Sequence, residues 1–155
     1  MFTAADLGRS SFGPKGCGRL ETKGPRVSCS KAVAAIIDVQ AVETAARLLG
    51  VINPVKVRTT KGTRRIGCHR FDTEDNCHAI TFSTRRRTTQ QQSETIWHEL
   101  CHAAQGDQIG NEDYIAQYKL AGGTGRRYDT NKFEVQANAV KDWHTFLPLV
   151  KGSYD

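Results

Sequence analysis

Hydrophobic and polar positions change their period several times along the chain, and the changes divide it into elements. From Ser30 the segment KAVAAIIDVQAVETAARLLG places Val33, Ile36, Ile37, Ala41, Ala45 and Leu48 on one face at helical spacing. Ser30 is a suitable N-cap and Gly50 a C-terminal stop, so one helix is predicted between them. Beyond Asn53-Pro54 the period falls to two. VKVRTT and TRRIGCHRF read as strands joined through a turn at Lys61-Gly62. CHAITFS reads as a third, with His78, Ile80 and Phe82 alternating with Ala79, Thr81 and Ser83. After Arg85, Arg86 and Arg87 the helical period returns. It predicts a helix from about Thr89 to Gln105 with Gly106 as its stop, and a short helix from Asn111 to Leu120 before a Gly-rich loop. A last helix is predicted from Lys132 to Leu147, ahead of Pro148.

Helix, strands and further helices make a small α+β domain over residues 30–150. Residues 1–29 follow neither period. Glycines at 8, 13, 16, 18 and 24 and prolines at 14 and 25 leave them little surface to bury, so a flexible arm is expected there. The 155 residues suffice for one core, and no apolar run reaches the ~18 residues a membrane span needs. Lys and Arg outnumber Asp and Glu by 22 to 16, an excess compatible with an acidic partner or nucleic acid that demands neither. Five cysteines is an odd number, and MFTAADLGRS lacks a cationic segment followed by an apolar one. The expectation is a reduced, cytoplasmic protein without a disulfide framework.

One motif carries chemistry. His98-Glu99-Leu100-Cys101-His102 fits H-E-x-x-H on the predicted helix. Residues four apart lie just over one turn apart, so both imidazoles project from one face and can grip one Zn²⁺. Glu99, about 100° round from His98, is placed to act as a general base on water rather than as a ligand. A catalytic zinc site needs a third protein ligand and one open position. The metzincin spacing fails, because Gln105 and Gln108 stand where Gly and His would be. Asp107 leaves the helix in the wrong direction, and Asp129 is an alternative. Glu134 is the preferred ligand because it opens the last helix, where Asn138 lies four residues on and can support a bound imidazole. Asn131 and Glu134 also fit a capping box, which needs no metal.

HELCHAAQ followed by FEVQANAVKDWHTFLP resembles the small gluzincin metallopeptidases of the ImmA/IrrE type. The matching residues are His98, Glu99, His102, Glu134, Ala137, Asn138, Leu147 and Pro148, and the likeness covers about residues 78 to 148. It implies a zincin-like fold, with His98, His102 and Glu134 on zinc and peptide hydrolysis with Glu99 as base. Cys101 stands where that family has Gly, the Gly-rich spacer is long, and no helix-turn-helix domain is evident. SETIWHELCHAA is also similar to the active-site helix of SprT-like proteases. Their third ligand is a His soon after the motif, and here none lies between His102 and His144.

The remaining residues of interest have plainer roles. Cys68-His69 and Cys77-His78, with Cys17 and Cys29, suggest a second zinc site, but no C-x-x-C pair is present, and buried cysteine is the usual case. Cys101 is expected to pack beneath the site. Tyr114, Tyr118, Tyr128 and His144 are each able to steady an oxyanion, although a half-buried polar tip is the commoner role. Arg64-Arg65 and Arg85-Arg86-Arg87 are able to contact phosphates, although solvated turn charges are the usual explanation. An extended substrate could add to the Ile80–Ser83 strand if that strand is a free edge. The rival function is a basic DNA- or assembly-binding module with structural or vestigial zinc.

Overall fold

The computed structural model describes residues 24–152 except 63 and 126, so positions 1–23 of the expected arm, Cys17 among them, lie outside the described residues. Ser30 does cap a helix, accepting from Val33 N at 3.2 Å, but that helix, α1 (Lys31–Ala34), ends after one turn. A second, α2 (Val39–Leu49), starts afresh. Asp38 causes the break: its side chain accepts from Ala41 N at 3.1 Å and caps a helix of its own. Ile37 meanwhile bridges to Val150. The restart resets the helical phase, so Ala41, Val42, Ala45, Ala46 and Leu49 are buried and Leu48 is exposed. Gly50 closes α2 with φ 92°, a conformation that costs glycine little.

The sheet has four strands: β1 (Val27–Ser28), β2 (Val55–Thr60), β3 (Gly67–Asp72) and β4 (Cys77–Ser83). Their spatial order is β1-β2-β4-β3, with β1, β2 and β4 parallel and β3 antiparallel to β4. β1 falls inside the segment expected to be a flexible arm and pairs Val27 with Val55. β2 and β4 coincide with their predicted spans, because alternating β-branched and aromatic residues pack on both sides of a pleat. β4 is central rather than a free edge, since the hairpin through residues 73–76 folds β3 against it.

Helix α3 (Thr89–Ile109) opens with a capping box in which Thr88 and Gln91 exchange bonds of 3.0 Å. It does not stop at Gly106. It runs on to Gly110, whose φ is 95°. Gly106 sits inside the helix because a Cβ there would come within 2.2 Å of Asn111 Oδ1, at the start of α4 (Asn111–Leu120). The last predicted helix is shorter too: α5 (Lys132–Val140) gives way to a 3-10 segment, Lys141–Thr145.

α2, β2, β4 and α3 share one core, with Val42, Val55, Ile80, Phe82, Ile96 and Leu100 fully buried. α3 is also tied to the segment after the 3-10 turn: Trp97 Nε1 donates to Leu147 O at 3.0 Å, and Leu149 N donates to Ser93 Oγ at 2.8 Å. Among the described residues no helix is long and apolar enough to cross a membrane.

Candidate metal centre

α3 is buried almost throughout from Thr95 to Gly106, so its polar residues require partners. His98 and His102 face α5, where Glu134 meets them. His98 Nε2 and His102 Nε2 are 3.2 Å apart, and Glu134 Oε1 lies 3.0 and 3.1 Å from them. Ligand atoms about 2.0–2.1 Å from a tetrahedral ion are about 3.3 Å from one another. The three atoms thus form a nearly regular triangle of the size a tetrahedral ion requires. Of the groups among the described residues in which at least three His, Cys, Asp or Glu ligand atoms converge, this is the one present.

The protonation of His102 is fixed from outside the triangle. Gln105 Nε2 donates to Phe133 O at 3.0 Å and to Gln136 Oε1 at 2.6 Å, which turns Gln105 Oε1 toward His102 Nδ1 at 2.8 Å. An amide oxygen only accepts, so Nδ1 keeps its hydrogen; without a metal Nε2 shares its proton with Glu134, and loss of that proton leaves the Nε2 lone pair facing the triangle, as a metal ligand requires. Tyr114 Oη sits 3.0 Å from the same Nδ1. Burial lowers the pKa of His102, and the hydrogen bond to Glu134 with the charges of Glu99 and Glu134 more than reverses this.

Glu134 is not half of a capping box. Asn131 caps α5 by accepting from Phe133 N at 2.9 Å, while the Glu134 carboxylate turns to the imidazoles and accepts from Tyr118 Oη. Burial raises its pKa, but the bonds from His102, His98 and Tyr118 hold it well below the usual range. Burial pushes the Tyr118 and Tyr128 phenols up, and Glu134 adds to it. Glu99 lies beside the triangle and outside it, with 5% of its surface exposed. Burial raises its pKa, and the two imidazoles oppose the rise. It packs against β3: a Cβ on Gly67 would lie 3.3 Å from Glu99 Oε2 and 2.5 Å from Thr95 Cγ2.

Other expected site residues lie elsewhere. Asn138 is on the exposed face of α5 and makes no hydrogen bond to an imidazole; Gln105 and Tyr114 support His102 instead. Asp129 is exposed in the 3-10 turn Tyr128–Thr130. His144 faces Glu94 at 3.3 Å. Cys101 is fully buried within α3, and burial pushes its thiol up.

A second polar chain, Asp107–His78–His69, was not foreseen. His69 Nε2 and His78 Nδ1 are 2.8 Å apart. His78 Nε2 lies 2.9 Å from Asp107 Oδ1, a contact too poorly aligned for a good hydrogen bond. Asp107 also accepts from Ile52 N, Asn53 N and Asn53 Nδ2 at 2.8, 3.1 and 2.6 Å. Burial raises its pKa, but His78 and these donors bring it well below the usual carboxylate range. The His69 ring ends the chain 6.5 Å from that of His102, and burial, then His78, lowers its pKa. The signal was the hairpin register: Phe71 pairs with His78 and His69 with Ile80, which makes the two histidines diagonal neighbours on one face.

No family model matches the chain, and no curated protein or solved structure matches it either.

Proposed function

We propose that the chain is a zinc-dependent peptidase. The observation that carries this is the position of Glu99: a buried carboxylate on the helix that bears both imidazoles, adjacent to the ligand triangle without joining it. Two imidazoles and a carboxylate suit zinc, and three protein ligands leave the fourth tetrahedral position open, as in catalytic zinc sites. No fourth His, Cys, Asp or Glu among the described residues joins the cluster, which favours this function over a DNA- or assembly-binding module with structural zinc.

His98, His102 and Glu134 would hold the ion. When bound, zinc supplies a Lewis acid that acidifies water and polarises a carbonyl. Glu99, kept basic by burial, accepts the proton of the attacking water and returns it to the departing amine. Gln105 and Tyr114 hold His102 in place, and Tyr118 holds Glu134. An extended peptide pairs with the outer edge of β3, since β4 is enclosed by its neighbours.

The test separates binding from chemistry. The wild type is expected to carry one zinc per chain and to cleave peptides in a chelator-sensitive, zinc-restorable way. Glu99→Gln is expected to keep the zinc and lose about 10²- to 10⁴-fold in rate. Full activity in Glu99→Gln, or unchanged zinc content in both His98→Ala and His102→Ala, refutes the function.

A further inference from the structure

The sequence separates its basic residues into two clusters, and the fold brings them together. β2 and β4 run parallel, so the loop after each leaves the same end of the sheet. The two loops are joined there: Ser83 Oγ donates to Gly62 O at 2.6 Å, Ser83 N donates to Ile66 O at 2.9 Å, and Thr84 N donates to Thr60 O at 3.2 Å. Lys61, Arg64, Arg65, Arg85 and Arg86 are all exposed on them, and none makes an ion pair within the described residues. Arg87, by contrast, is turned inward, donating to Gln91 O and Thr95 Oγ1.

This basic end adjoins the proposed catalytic groups. β3 begins at Gly67, immediately after Arg65 and Ile66, and Gly67 packs against Glu99. The other end of β3 has the opposite sign. Asp72, Glu74 and Asp75 are exposed on the hairpin and outnumber the nearby cations Arg70 and Lys56, the latter 3.8 Å from Asp75; Asp72 is about 17 Å from Gly67 at the rise of a β-strand. That is about two Debye lengths at physiological salt, so a chain lying along the edge meets two separate potentials. Among the described residues the outer edge of β3 is unpaired.

We infer that the β3 edge selects an extended peptide whose acidic residues lie at the Gly67 end, over Arg64, Arg65, Arg85 and Arg86. The inference rests on the peptidase function and specifies its substrate class. A nucleic acid fits the surface less well. Its uniform negative charge is repelled by the Asp72–Asp75 hairpin, and neither basic loop contains an aromatic residue on which a base can stack.

The experiment uses zinc-loaded Glu99→Gln protein, which binds without turnover. Fluorescein-labelled peptides with an acidic half, the same peptides with Gln for each acid, and a short DNA duplex are titrated by anisotropy at low and raised salt. The acidic peptide is expected to bind roughly tenfold tighter than its Gln counterpart, the sum of several exposed charge contacts, with the advantage fading as salt rises. Arg64→Glu/Arg65→Glu is expected to remove that advantage and Arg64→Lys/Arg65→Lys to retain most of it. Equal binding of the two peptides, or tighter binding of the duplex, overturns the inference. Cleavage by wild type distinguishes it from the function beneath it. Cutting both peptides at equal efficiency removes the acidic preference and leaves the peptidase; charge-selective binding with no cleavage leaves the surface and removes the peptidase.

Discussion

Gln105 has no ionisable group, yet it decides which nitrogen of His102 faces the cluster. Its amide is held by Phe133 O and Gln136, so Gln105→Leu frees the ring to flip or change tautomer. Metal affinity is expected to fall about 10- to 100-fold, read by competition with a chromophoric chelator, while Gln105→Glu, which keeps the acceptor, retains more. Glu134→Gln is expected to weaken zinc binding more sharply, because it removes the anionic ligand itself. Helix α5 should survive, since its cap is Asn131 and not Glu134. Unchanged zinc affinity in Glu134→Gln would remove Glu134 from the site.

At the scale of elements, α3 is pinned at both ends of its buried stretch, by Ser93 and Trp97 toward the start and by Asp107 toward the finish. Asp107 joins α3 to the loop before β2 and to His78 on β4. Its folded pKa is depressed, so the stability it contributes is fully present above the ordinary aspartate value of about 3.9 and declines as pH falls below it. Asp107→Asn is expected to cost about 2–3 kcal/mol at neutral pH and to flatten the acid limb of a stability–pH curve measured by urea denaturation. An acid limb as steep as wild type counts against this role. β2, β4 and α4 were legible in sequence because their periods are local. The break at Asp38 was not: α1 and α2 share one spacing pattern, and Ile37 leaves the helix for a partner, Val150, far along the chain. Spacing also put Asn138 beside Glu134, but which side of α5 meets α3 is set by packing between helices. That His98 and His102 share a face was legible since four residues on one helix fix it; the Asp107–His78–His69 chain depends on strand register and helix placement together.

For the whole molecule, the metal and the fold are expected to be linked. The three ligands come from two helices, and zinc that binds only the folded chain at a thousandfold above its dissociation constant stabilises it by about 4 kcal/mol. In a domain of this size each kcal/mol moves the melting temperature by roughly 2–4 °C, so chelation is expected to lower Tm by about 10 °C. Scanning calorimetry with and without chelator checks this, and identical Tm values would mean that the ligands do not grip an ion.

The strip from Leu147 to Lys151 has a further consequence, in the order of events during synthesis. It lies in the gap between α1 and α2, with Asp38 N donating to Leu149 O at 2.9 Å and Lys151 N to Ile36 O at 2.7 Å, and it also receives Trp97 from α3. The ribosome delivers Ile37 early and Val150 late. His98, Glu99 and His102 on α3 and Glu134 on α5 all emerge before the strip to which α3 bonds, so a nascent chain carries all four side chains before that part of the frame exists. The frame around the candidate metal centre is therefore complete only once Leu147–Val150 has arrived.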